Sequence, residues 1–164
     1  MNEYAEPFSV GNIDRGGVNS SIFEEVIGKL DASVDFSKYD RLLVVHAGES
    51  AQDMDNSSYI GTCHTSGWFT TNDGRTFLEA SIVSEYDEFG TIAHEIGHGL
   101  GAPDLYDYHS NSSTWTGIYR WGLMSAGNHN GNPSGTCPSH MCTFTKLKVG
   151  WIQENEVYNF QEGS

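Results

Sequence analysis

The apolar side chains Ile22, Phe23, Val26, Ile27 and Leu30 recur at spacings of three and four, with Glu24 and Glu25 in the first turn and Ser20 or Ser21 placed to cap it. This predicts an amphipathic helix. Leu42-Leu43-Val44-Val45, closed by Ala47-Gly48, is a short unbroken apolar run of the kind that forms a strand buried on both faces. The stretch from Glu49 to Ser66 is polar and rich in Gly and Ser and predicts a loop, and Gly67 to Thr71 lead into an Asn72-Asp73-Gly74 turn. From Thr76 to Val83, Leu78, Ala80 and Ile82 alternate with Phe77, Glu79 and Ser81, a period of two that predicts another strand. Ile92, Ala93, Ile96 and Leu100 return to helical spacing between Gly90 and Gly101, giving a helix of about three turns. The segment from Ala102 to Pro138 predicts loop, and a last short helix is expected from about Ser139 to Val149. The residues up to Ser20 are polar and predict an extended leading segment. Helix and strand patterns in this order predict an α/β chain, an α+β sandwich, organised as one domain over residues 1–164. The abrupt ends also fit a fragment of something larger.

Charge narrows the choice of partner. Twenty-two acidic against eight basic side chains give a formal net charge of −14, which disfavours nucleic acid. No run approaches the roughly 20 apolar residues of a membrane span, and the first residues lack the basic and apolar blocks of a secretory signal. Three cysteines allow at most one disulfide within the chain. A zinc site on Cys137, His140 and Cys142 fits no usual spacing.

The candidate chemistry lies on the helix before Gly101. Residues 94–98 read His-Glu-Ile-Gly-His. Positions i and i+4 of a helix differ by about 40° in azimuth, so His94 and His98 can reach one cation, zinc by ligand type. Glu95, about 100° away, can approach a metal-bound water without being a ligand. That pattern supports hydrolysis of a peptide bond, with Glu95 as general base. Two continuations can supply a third ligand. A glutamate on a later helix would have to be Glu154 or Glu156, since no glutamate lies between Ile96 and Gln153. The compact continuation ends the helix at a glycine and places the ligand six residues after the second histidine, which is Asp104; Asp107 and His109 are its rivals.

The segment from His94 to Asp104, followed by Leu105-Tyr106-Asp107, resembles the active-site segment of the immune inhibitor A-like metallopeptidases, a metzincin branch, with an Asp ending the motif as in snapalysin. Trp121-Gly122-Leu123-Met124-Ser125 is similar to that family's Met-turn. Weaker similarity appears at Asp35–Asp40 with Leu43–Gly48, and at Lys148–Trp151. The resemblance implies a metzincin-like twisted mixed sheet with an active-site helix, a Met-turn at Met124 and a C-terminal helix. It also implies a zinc endopeptidase acting outside the cell on peptide or protein substrates. Arg41 follows Asp40 directly where the family often carries an acidic, Gly-rich insert, so calcium is not supported by a clear site. Ala126 stands where some metzincins place a zinc-facing Tyr, which leaves Tyr106, Tyr108 and His140 as candidates for stabilising an oxyanion.

Plainer roles compete for the remaining residues. Asp107 suits a hydrogen bond to a ligand histidine or to the Gly101 turn, and equally a cap or turn. His46 fits a hydrogen-bonded structural histidine, and His64, His109, His129 and His140 fit solvated loops. Two other classes of function remain open, a non-catalytic module stabilised by zinc that binds peptide or glycan, and a zinc amidase acting on a non-protein amide. Glu95 weighs against the first, because a structural metal site needs no general base.

Overall fold

The computed structural model describes residues 21–50, 60–106 and 117–158. The leading segment through Ser20, part of the predicted loop after Glu49, and Asp107, Tyr108 and His109 lie outside the described residues. The chain divides into two compact units, Met1–Asp87 and Glu88–Ser164.

In the first unit, helix α1 (Ser21–Leu30) forms where the three-and-four spacing places it and buries Phe23 and Ile27. A short 3-10 turn at Phe36–Lys38 adds Phe36 to the interior. Strands β1 (Leu42–His46), β2 (Cys63–Thr70) and β3 (Thr76–Ser84) form one sheet in the order β1-β3-β2. β1 runs parallel to the central β3 and β2 antiparallel to it, so the sheet is mixed and the architecture is α+β. The core gathers Phe23, Ile27, Phe36, Phe69, Phe77, Ala80 and Ile82. Phe23 and Phe69 have ring centroids 5.1 Å apart, and Phe36 meets Phe77 edge-on at 6.1 Å. Each such ring, fully buried, contributes about 1.5–3 kcal/mol.

Three expectations for this unit are corrected. β1 is not buried on both faces: Leu42 and Val44 pack on the core, whereas Leu43 is 40% and Val45 60% exposed. The strand lies at a sheet edge with one face on the core, and an unbroken apolar run cannot show which faces are covered. The loop predicted through Ser66 gives way at Cys63, where β2 begins. Its residues are polar, but they pair with β3 in register, Cys63 with Ile82 and Thr65 with Ala80. His64 accordingly sits in a strand, half-buried, with Nδ1 2.9 Å from Ser81 Oγ. Alternation along β3 also changes phase. The register shifts between Ser66 and Phe69, an irregularity of the kind a β-bulge makes. Phe69 pairs with Phe77 beyond it, and both join the same core as Ala80 and Ile82, while Leu78 and Trp68 are exposed. His46 ends β1 with Nδ1 3.1 Å from the Ala47 carbonyl oxygen.

The second unit begins with helix α2 (Phe89–Gly99), followed by irregular chain with 3-10 turns at Tyr119–Trp121 and Ala126–His129, then helix α3 (Thr143–Lys148) and a last 3-10 turn at Glu154–Glu156. α3 starts later than the predicted Ser139. Ser139 N–H donates to the Gly127 carbonyl and the His140 carbonyl accepts from Leu123 N–H, which commits this stretch to neighbouring chain rather than to a helix. The core here is small: Ala102, Leu123, Met124 and Met141, with Ala93, Leu105 and Val149 against it. The apolar stripe of α2 is not its buried side. Ile96 and Leu100 are 44% and 41% exposed, lining an open groove of about 430 Å³ with Ile92, Met141 and Trp151, while His94, Glu95 and Gly97 are buried. Among the described residues no helix is long and apolar enough to cross a membrane, and no disulfide joins Cys63, Cys137 and Cys142.

Candidate metal centre

α2 ends where the glycine spacing requires. Leu100 N–H donates to the Ile96 and Gly97 carbonyls, Gly101 N–H donates to the His98 carbonyl at 2.8 Å, and Ala102 N–H donates to the Gly97 carbonyl at 3.0 Å. Gly101 has φ +91, a left-handed conformation that a Cβ disfavours, and it reverses the chain there. The Ala102 carbonyl accepts from His98 Nδ1 at 2.8 Å, and Leu105 N–H donates to the Met124 carbonyl at 2.7 Å. The turn at Met124, closed by Ser125 N–H on the Gly122 carbonyl, offers the Leu123 carbonyl to His94 Nδ1 at 3.0 Å.

These bonds determine the tautomers. A carbonyl oxygen can only accept, so Nδ1 of both rings carries the proton and both Nε2 atoms present lone pairs. The two Nε2 atoms are 3.1 Å apart. Asp104 Oδ1 lies 3.0 Å from His94 Nε2 and 3.3 Å from His98 Nε2. Tetrahedral zinc, with bonds of about 2.0–2.1 Å to N and O, separates its ligand atoms by about 3.3–3.4 Å. The triangle is thus close to the face of such a tetrahedron, and three acceptors converging without a proton between them are stabilised by a cation at the centre. Among the described residues, His94, His98 and Asp104 are the one group of three whose donor atoms converge in this way.

The electrostatics agree with the geometry. Burial works against the charge on Asp104, but in the absence of a cation the imidazoles of His94 and His98 can take up a second proton at Nε2, and hydrogen bonds and charge from these protonated rings outweigh burial and hold the carboxyl well below the usual carboxylate range. Burial likewise opposes a charge on His98, yet the Asp104 carboxylate raises its pKa. Both shifts describe a site short of positive charge.

Glu95 is 8% exposed, and His94 is buried with it. Tyr106 stacks on His94 with ring centroids 6.2 Å apart and planes inclined by 21°. Burial first, and the Asp104 charge after it, push the phenol far above its ordinary pKa, so it stays protonated. His140 is exposed, its Nδ1 3.3 Å from the Met141 carbonyl oxygen. Asp107, Tyr108 and His109 are outside the described residues. Reading the sequence did not reveal the Leu123 and Ala102 carbonyls as partners of the histidines. Backbone carbonyls carry no residue-type signal, and only the resemblance to a Met-turn marks that region.

Met124 is fully buried, and Gly97 explains how it fits. A Cβ on Gly97 would lie 2.7 Å from Met124 Sδ and 3.1 Å from Met141 Cε. Gly97→Ala would gain about 1 kcal/mol of helix propensity, but overpacking an enclosed site costs about 1–3 kcal/mol. The second effect should win because Met124 has no solvent side to move into. A lowered Tm in thermal unfolding is expected; an unchanged or raised Tm would show that the methionines yield freely.

Residues 37–156 match the catalytic domain of the immune inhibitor A peptidase M6 family, a span that includes His94, Asp104 and Met124. Over 59 residues, 35% of this chain, the sequence is 41% identical to the pre-pro-metalloprotease PrtV of Vibrio cholerae serotype O1, in strain M66-2 and equally in strain ATCC 39315. The aligned stretch spans 6% of the length of PrtV. With three quarters of its sequence matched in one continuous stretch, the chain belongs to the catalytic domain of the immune inhibitor A peptidases of family M6.

Proposed function

We propose that this chain is a zinc endopeptidase, with the metal held by His94, His98 and Asp104 and with Glu95 as general base. The observation that carries this reading is the triangle of His94 Nε2, His98 Nε2 and Asp104 Oδ1, with edges of 3.0 to 3.3 Å. Bound zinc would lower the pKa of a coordinated water toward about 7 and polarise the scissile carbonyl. Asp104 contributes the anionic donor. His94 and His98 contribute neutral lone pairs, oriented by the Leu123 and Ala102 carbonyls. Glu95 accepts the proton of the attacking water and delivers it to the leaving amine.

The family match also supports the larger assignments. It runs without interruption past Asp87, which favours one catalytic domain over residues 1–164, within a longer protein or alone. We read α2 as the active-site helix, the turn at Met124 as the Met-turn and α3 as the C-terminal helix, a combination that supports the metzincin type. Substrates would be peptides or proteins. PrtV is named as a pre-pro protein, which supports an exported role for this chain.

Denatured casein, incubated with the protein before and after chelation and again after zinc is restored, tests the function. Cleavage should be lost and then regained, and metal analysis of protein purified without added zinc should give about one equivalent per chain. Cleavage indifferent to the chelator would end the zinc reading, and bound zinc without cleavage would favour a zinc-stabilised binding module.

A further inference from the structure

We propose that Trp121 is a specificity-determining residue, presenting its indole to an aromatic or large aliphatic side chain of a peptide substrate bound at the metal centre. The inference rests on the endopeptidase reading above and starts from strained backbone. Among the described residues, Tyr119 is the one position with a side chain whose φ is left-handed, at +50. A bulky residue holds that conformation only where its surroundings over-determine it, and such positions cluster at functional sites. The surroundings here do so. Gly117, with φ +96, has no Cβ to collide with the Leu105 carbonyl, and Ile118 N–H donates to that carbonyl at 3.4 Å. At the other end of the segment, the Met124 carbonyl accepts from Leu105 N–H at 2.7 Å. Residues 118–124 are thus a loop closed at both ends on Leu105, the neighbour of Asp104.

The tip of the loop is held as firmly as its ends. The Arg120 carbonyl accepts from Asn130 Nδ2 at 3.0 Å and from Ser139 Oγ at 2.6 Å. Its guanidinium donates to Asn130 Oδ1 at 3.3 Å and lies over the Tyr119 ring, 5.7 Å from the centroid. Arg120 and Tyr119 therefore serve the loop itself, and Trp121 is the side chain it presents, at 85% exposure. A tryptophan on rigid backbone offers a large apolar contact at little entropic cost. Connectivity places it on the rim of the metal centre. Two residues on, the Leu123 carbonyl accepts from His94 Nδ1 at 3.0 Å, and two Cα–Cα steps span at most about 7–8 Å. A side chain flanking the scissile bond lies within reach of the indole, and an aromatic or large aliphatic one gains the most from covering it.

Quenched fluorescent peptides that differ only in carrying Phe, Leu, Gly or Arg beside the scissile bond test this. Trp121→Ala should lower kcat/KM for the Phe and Leu peptides by about 10–100-fold, mainly through KM, and leave the Gly peptide within about two-fold. Trp121→Phe should recover most of the loss. Zinc content and melting temperature should stay at the wild-type values, since the side chain is exposed. Binding needs no turnover: the affinity of Glu95→Gln for a labelled Phe peptide, followed by fluorescence anisotropy, should fall by the same factor when Trp121→Ala is added. An unaltered preference in Trp121→Ala, an equal loss on every peptide, a preference for Arg carried by Trp121, or loss of zinc would each overturn the proposal. Selective binding of the Phe peptide through Trp121 by a wild type that cleaves none of the set would instead bring down the endopeptidase reading and leave the subsite standing.

Discussion

Glu95→Gln is expected to retain zinc and to lower turnover of a peptide substrate by about 10²-fold or more, the range over which general acid–base catalysis contributes. That factor corresponds to about 2.7 kcal/mol of transition-state stabilisation. Glutamine matches the side chain in size, so the buried position on α2 stays filled, at 8% exposure in the native chain. It cannot accept the proton of the attacking water. Glu95 is not among the three converging donors, so the metal should remain. Turnover should be measured alongside zinc content on the same preparation. Near-normal turnover at full zinc occupancy would remove Glu95 from the mechanism, whereas loss of zinc would make it part of the binding site.

Asp104→Ala should lower zinc affinity by more than the roughly 10–100-fold expected of a supporting residue, and activity should fall with it at limiting zinc. The aspartate is the only anion of the triangle, and its Oδ1 lies within 3.3 Å of both imidazole nitrogens. Without it two neutral donors remain, too few for a tetrahedral site that keeps one position for water. Asp104→His offers a neutral replacement donor and should recover part of the affinity. Zinc titration of Asp104→Ala beside Asp107→Ala and His109→Ala decides the assignment. If Asp104→Ala binds like the wild type and either of the others does not, the third ligand lies elsewhere.

Much of the candidate site could be read from residue order because its parts are local. His94, Glu95 and His98 occupy one helix, whose period determines their relative directions, and Gly101 marks the reversal that returns Asp104 to the same face. Burial was harder to read. The stripe of Ile92, Ala93, Ile96 and Leu100 correctly identifies a helix, yet Ile96 and Leu100 are exposed and the polar side of α2 is enclosed. Periodicity reports the shape of an element but not which neighbour covers it. The polar strand from Cys63 shows the reverse case, since pairing with β3 makes a strand of residues with little apolar signal.

By itself the sequence determined α1, the helix carrying His94 and His98 one turn apart, and the stop at Gly101, with Asp104 as the leading candidate for the third ligand beside Asp107 and His109. Each of these depends on residues within about one or two turns of one another, where backbone geometry admits few alternatives. Only the tertiary structure decided which face of β1 meets the core, that Phe69 and Phe77 pair beyond the irregularity after Ser66, and why glycine is needed at position 97. It also decided that carbonyls of Leu123 and Ala102 orient the imidazoles and that the Tyr106 ring stacks on His94. Several of these contacts join positions far apart in the chain, and all depend on how the backbone packs in three dimensions, which local propensity and spacing do not encode.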